Sequence, residues 1–157
     1  MKKLFTAVVA LLFVATTSAQ VVKQFDFENG NTEGWKCWAN KTNNIVQTDV
    51  KSGKNAMDVA VGTYFQFNTK EPKTTYKISA DVFDKWGNAE VMAKVEYYDK
   101  KENKMVEVKV QPMAKAKGHS HFTFNFKTKV VAMHRVTFYS PKGRFQLDNV
   151  KVELMAK

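Results

Sequence analysis

Thr75-Tyr-Lys-Ile-Ser-Ala-Asp-Val82 sends Tyr76, Ile78, Ala80 and Val82 one way and Lys77, Ser79 and Asp81 the other. Strict alternation of this kind is the mark of a strand with one buried and one wet face. The pattern spreads outward in both directions. Val91, Ala93, Val95 and Tyr97 repeat it downstream, followed by Val106, Val108 and Val110, by Phe122, Phe124 and Phe126, by Val136 and Phe138, and by Val150, Val152 and Leu154; upstream, Phe25 and Phe27 alternate with Asp26 and Glu28. Turn-forming runs separate the strands, among them Glu28-Asn-Gly-Asn-Thr-Glu-Gly34, Lys85-Trp-Gly-Asn88 and Pro141-Lys-Gly143. About ten short strands at this spacing predict an all-β chain, a two-sheet antiparallel β-sandwich of jelly-roll type. Phe145 and Leu147 are out of phase with Val150, Val152 and Leu154, which predicts a β-bulge at Asp148-Asn149.

The chain has 157 residues, 44% hydrophobic and 25% charged, enough for one core. Its 25 Lys and Arg against 15 Asp and Glu are spread along the strands, which excludes a disordered charged tail. Residues 1–19 read as an export signal: Lys2 and Lys3, an apolar run from Leu4 to Ala15, then Thr17-Ser-Ala19 before a cut at Gln20. The apolar run is too short to span a bilayer. The expected product is residues 20–157, a single sandwich domain, periplasmic or extracellular, with a formal charge of +8. One cysteine, Cys37, rules out an internal disulfide and reads as a buried, inert thiol.

Phe25-Asp-Phe-Glu-Asn-Gly-Asn-Thr-Glu-Gly-Trp35, Lys51-Ser-Gly-Lys-Asn-Ala56 and Phe145-Gln-Leu-Asp-Asn-Val-Lys-Val152 resemble the opening, the Ser-Gly turn and the closing strand of secreted carbohydrate-binding modules with the galactose-binding-like jelly roll. Thr75–Val82 resembles their mid-chain strand. The resemblance implies a non-catalytic domain that binds a polysaccharide or other glycan. It also implies a structural Ca²⁺ joining the first and last strands, with Glu28 and Asp148 as ligands, Asp26 as a third carboxylate and a carbonyl near Lys51 or Ser52. Asp26 and Glu28, two apart on a strand, are expected to share a face.

A sugar-binding surface needs flat aromatics for the C–H faces of the rings and polar groups for the hydroxyl rim. Tyr98 and Tyr139 break the strand pattern by standing on polar faces, beside Lys94 and Glu96 and beside Arg135 and Thr137 respectively; Trp86 sits in a loop; Trp38 and Tyr64 stand near the loop ends of early strands, with Gln66 in phase with Tyr64. The candidate ligand residues are therefore Trp38, Tyr64, Gln66, Trp86, Glu96, Tyr98, Arg135 and Tyr139, against core assignments for Trp35 and Tyr97. The basic charge favours an acidic glycan.

Other classes find less support. His119-Ser-His121 places two imidazoles on one strand face, as metal-dependent jelly-roll enzymes do, but no acid follows closely and His134 falls in core phase. Asp81 and Glu96 could supply a hydrolytic carboxylate pair, yet nothing distinguishes them from surface charges. No triad context or phosphate loop is present, so the chain reads as no enzyme. Export argues against a nucleic-acid partner. The alternative is a structural or adhesive envelope protein that contacts other proteins through the same sandwich. Oligomeric state and the identity of the glycan are not written in the sequence.

Overall fold

A computed structural model describes residues 19–38, 43–47, 50, 53–59, 61–85, 87–113 and 117–156. Residues 1–18 of the segment expected to be an export signal, Trp86 and the Lys51-Ser52 pair lie outside the described residues. Eleven strands are described: β1 (Gln20–Phe25), β2 (Trp35–Cys37), β3 (Asn44–Val46), β4 (Ala56–Val59), β5 (Gly62–Asn68), β6 (Thr75–Asp84), β7 (Met92–Asp99), β8 (Lys104–Pro112), β9 (Gly118–Lys127), β10 (Met133–Tyr139) and β11 (Phe145–Leu154).

They form two antiparallel sheets. One runs β3-β4-β11-β6-β9, with β1 also paired to β11; the other runs β2-β5-β10-β7-β8. Between them the inward-phase residues make the core, with Met57, Ile78, Leu147 and Phe145 from the first sheet meeting Phe65, Val95, Val136 and Phe138 from the second. The alternation places one apolar face of each sheet against the other, and burial of those faces drives the association.

The expected bulge is present. Pairing of β11 with β6 slips between Asp148 and Lys151, and Asn149 adopts φ 47°. The extra residue lets Leu147 and Val150 both point inward, at the cost of a left-handed backbone at Asn149, a residue type that tolerates it.

His134 lies in the core as its phase requires, ringed by Phe67, Tyr97 and Phe126 at centroid distances of 5.9–6.0 Å. Burial pushes its imidazole below the ordinary histidine value, and the Nδ1 hydrogen bond to Ala132 O at 3.1 Å only partly offsets this. Cys37 is half-buried rather than buried, its Sγ donating to Gly62 O at 3.3 Å, because β2 is an edge strand.

Two expectations fail at the amino-terminal strand. It begins at Gln20 and ends at Phe25, and Phe27 turns the chain with φ 60°. Asp26 and Glu28 therefore do not share a strand face: Asp26 Oδ1 accepts the Glu28 amide at 3.2 Å in a local turn. Glu28 instead reaches across to the chain before β4, where its carboxylate accepts the amides of Lys54 at 3.0 Å and Asn55 at 3.1 Å. Gly53 makes that clasp possible, since a Cβ there would lie 2.2 Å from Glu28 Oε1.

Candidate functional site

The outward phase of the five-stranded sheet gathers most of the residues that the sequence singles out. In β10, His134, Val136 and Phe138 point inward, so Arg135, Thr137 and Tyr139 point outward. Register then sets their neighbours. Arg135 lies between Gln66 of β5 and Glu96 of β7, Thr137 between Tyr64 and Lys94, and Tyr139 between Gly62 and Met92. Lys36 of the edge strand is opposite Tyr64. Tyr64 is thus placed mid-strand rather than near a loop end.

At the centre is a charge cluster. Glu96 Oε2 accepts Arg135 Nη2 at 2.7 Å and Nε at 3.1 Å, while Oε1 meets Lys94 Nζ at 2.8 Å. Glu96 is only 6% exposed. Burial alone would push its carboxyl up, but the hydrogen bonds and charges of Lys94 and Arg135 outweigh that and hold it below the ordinary glutamate value. The guanidinium also lies over the Tyr64 ring, 5.2 Å from its centroid. One phenol, one guanidinium and one carboxylate are thereby locked into a single geometry.

Aromatic rings stand at the two ends of this cluster. Trp38, just past β2, packs on Tyr139 with centroids 5.5 Å apart. Gly62 is the floor for that indole, because a Cβ there would come within 2.7 Å of Trp38 Cε3. At the other end Tyr98 stays half-buried with its hydroxyl donating to Asn103 Oδ1 across the β7–β8 turn. Six residues of β10 separate the levels of Tyr139 and Tyr98, a span of ~20 Å at strand rise.

Seven of the eight candidates, Trp38, Tyr64, Gln66, Glu96, Tyr98, Arg135 and Tyr139, therefore belong to one sheet face; Trp86 lies outside the described residues. Lys94 and Thr137 were not singled out for themselves, although their phase in β7 and β10 matches that of Glu96 and Arg135. Thr137 is fully buried beneath its neighbours, and its Oγ1 has no hydrogen-bond partner among the described residues. The opposite sheet carries the two surface histidines. His121 Nδ1 contacts Asp81 Oδ1 at 2.7 Å, and His119 lies against the Phe83 ring at 4.4 Å.

Register also brings together the ends expected to hold a cation. Phe25 pairs with Val150 and Met57 with Leu147, so the chain after β1 and the chain before β4 both converge on the Asp148-Asn149 bulge. Asp148 is 4% exposed and Glu28 is clasped to the chain before Ala56. Among the described residues no three Asp, Glu, His or Cys side chains gather as a metal site. Asp26, Glu28 and Asp148 are not gathered into one cluster, and Asp26 Oδ1 serves its own turn.

Comparison with solved structures decides the fold. The CBM22-1 xylan-binding domain from Paenibacillus barcinonensis superposes with a TM-score of 0.72 at 16% identity, over 91% of this chain and 99% of that one. The chain has the fold of the carbohydrate-binding jelly rolls. The CBM22-1–GH10 modules of a Clostridium thermocellum endo-1,4-beta-D-xylanase, complexed with xylohexaose, match at 0.71 and 17% identity, over 89% of this chain and 29% of that longer one. A family 16 carbohydrate-binding module matches at 0.61 and 18%, over 81% and 94%. No family model matches the sequence, and no curated protein does. Among the described residues, this jelly roll has no helix long and apolar enough to cross a membrane.

Proposed function

We propose that the protein is an exported, non-catalytic carbohydrate-binding module that holds a polysaccharide chain along the outer face of its five-stranded sheet. The observation that carries this reading is the convergence of Trp38, Tyr64, Gln66, Glu96, Tyr98, Arg135 and Tyr139 on that one face. Trp38 and Tyr139 offer apolar ring surface at one end and Tyr98 at the other, with Arg135, Lys94, Glu96 and Gln66 between them for hydroxyls and acid groups. The face is prearranged, since the ion pairs and the Arg135–Tyr64 stack fix its rotamers before any ligand arrives. Xylan is the first ligand to try, because solved neighbours of the same fold are xylan-binding domains.

In affinity electrophoresis through xylan and through an acidic polysaccharide, the chain from Gln20 onward is expected to be retarded by at least one of them in a salt-resistant way. Tyr139→Ala is expected to weaken that retardation about tenfold or more, the loss typical of an anchoring aromatic. Migration unchanged by every polysaccharide, or retardation abolished by salt, would refute the reading.

The structural calcium is proposed in reduced form at the Glu28–Asp148 corner. Those two would be its main carboxylates, with Asp26 reaching the ion only if its turn opens. Chelator is then expected to lower the melting temperature, and elemental analysis to find calcium in the purified protein. A melting curve indifferent to chelator would remove the metal and leave the corner tied by the Glu28 clasp and its neighbouring hydrogen bonds.

A further inference from the structure

We infer that the end of the sandwich formed by the β5–β6, β7–β8 and β9–β10 turns and the start of β1 is a docking surface for an anionic phospholipid layer. Strand direction puts these segments together: Thr75 pairs with Lys127, Asn68 with Met133, and Gln20 with Leu154. All the large hydrophobic side chains exposed among the described residues are found here. Val131 is 56% exposed and Val130 38%, with Val21 and Val22 across the same end.

The valines are held out rather than left loose. Thr69, Thr74 and Thr128 are buried between the two turns and clamp them together. Thr69 takes Ala132 O through both its amide and its hydroxyl at 3.1 Å. Thr128 Oγ1 donates within 3.2 Å of Glu71 O and Thr74 O and accepts the Thr74 amide at 3.0 Å. A turn built this firmly around two outward valines presents apolar surface that water disfavours. Open grooves of about 700 and about 830 Å³ flank the β5–β6 turn, the first lined by Val21, Val22 and Leu154, the second by Val131 and Tyr98.

Charge chooses the partner. Lys70, Lys73, Lys100, Lys101, Lys127 and Lys129 are exposed on these same turns. Of the acids at this end, Glu71 is exposed on the β5–β6 turn between Lys70 and Lys73, Glu102 is paired with Lys104, and Asp99 is turned to the amides of Lys101 and Glu102, so lysines outnumber acids. Branched aliphatic tips within a lysine ring suit shallow insertion beneath phosphate headgroups. A glycan would instead ask for fully exposed flat rings at the tip, where the exposed side chains are valines and lysines and Tyr98 is half-buried.

All the described strands and core residues lie between Gln20 and Leu154, so the chain from Gln20 onward is the form to test. It is expected to co-sediment with vesicles of mixed phosphatidylglycerol and phosphatidylcholine and not with phosphatidylcholine alone. Val130→Asp with Val131→Asp is expected to cut that binding by about tenfold or more, and Lys127→Glu with Lys129→Glu likewise. Both pairs should keep the wild-type melting temperature and polysaccharide retardation, which separates this surface from the sheet face. No vesicle binding would overturn the inference. So would valine variants that bind like wild type, or an acidic polysaccharide that binds this end and depends on the lysines alone.

Discussion

Trp35→Ala is expected to cost about 4 kcal/mol, the largest effect of any single change considered. The indole meets four rings at once: Phe65 at 4.9 Å, Phe25 at 5.0 Å, Phe27 at 5.8 Å and Phe138 at 6.1 Å between centroids. Phe25 ends a strand of the six-stranded sheet, while Phe65 and Phe138 belong to the five-stranded one, so Trp35 bridges the two layers. Its Nε1 has no hydrogen-bond partner among the described residues, so the loss on truncation is chiefly one of packing. Rigid rings on four sides limit collapse into the void, which places the cost toward the high end of the range for such cavities. In urea unfolding the midpoint should fall with the slope unchanged, and Trp35→Phe should recover more than half of the loss. A cost under about 2 kcal/mol would mean that the sheets close over the gap and that the bridge is dispensable.

Arg135→Ala is expected to act on stability and on ligand binding together. It leaves the nearly buried Glu96 carboxylate with Lys94 as its remaining charged partner, at a cost of about 2–3 kcal/mol. It also removes the guanidinium that lies on Tyr64, so polysaccharide retardation should vanish at a temperature where the variant is still folded. The acid side of the stability curve supplies a second readout. Glu96 is held below its unfolded value, so its contribution is present above that value and is lost as pH falls through the folded one. With Arg135 gone the carboxyl is less depressed, and the fall in melting temperature on acidification should be shallower than in the wild type. An equally steep fall would show that other carboxylates govern the acid response.

Most strands were legible because apolar and polar residues alternate along them, even in β6, where the polar-phase Ser79 and Asp81 are themselves buried. The run Tyr76, Ile78, Ala80, Val82 could only be read one way, and the single phase break in β11 announced the Asp148-Asn149 bulge. The candidate residues were legible as exceptions: an aromatic on a polar face, as at Tyr98 and Tyr139, violates the alternation that surrounds it. What failed was local. Asp26 and Glu28 looked like strand neighbours because Phe25 and Phe27 keep the alternation, but Phe27 lies at φ 60° and turns the chain, a conformation that nothing in its side chain signals.

Alternation is a property of neighbours two residues apart, and so the sequence alone determines which side chains share a face within a strand: Arg135 with Thr137 and Tyr139, Lys94 with Glu96 and Tyr98, Tyr64 with Gln66. Which strands lie side by side depends on contacts between residues far apart in the chain, and these the alternation does not encode. Only the tertiary structure places β5, β10 and β7 in adjacent order, and that order sets Arg135 between Gln66 and Glu96, with its guanidinium over the Tyr64 ring. The same long-range pairing collects Val21, Val22, Val130 and Val131 at one end of the sandwich, two valine pairs more than a hundred positions apart whose exposure no local pattern in the sequence shows.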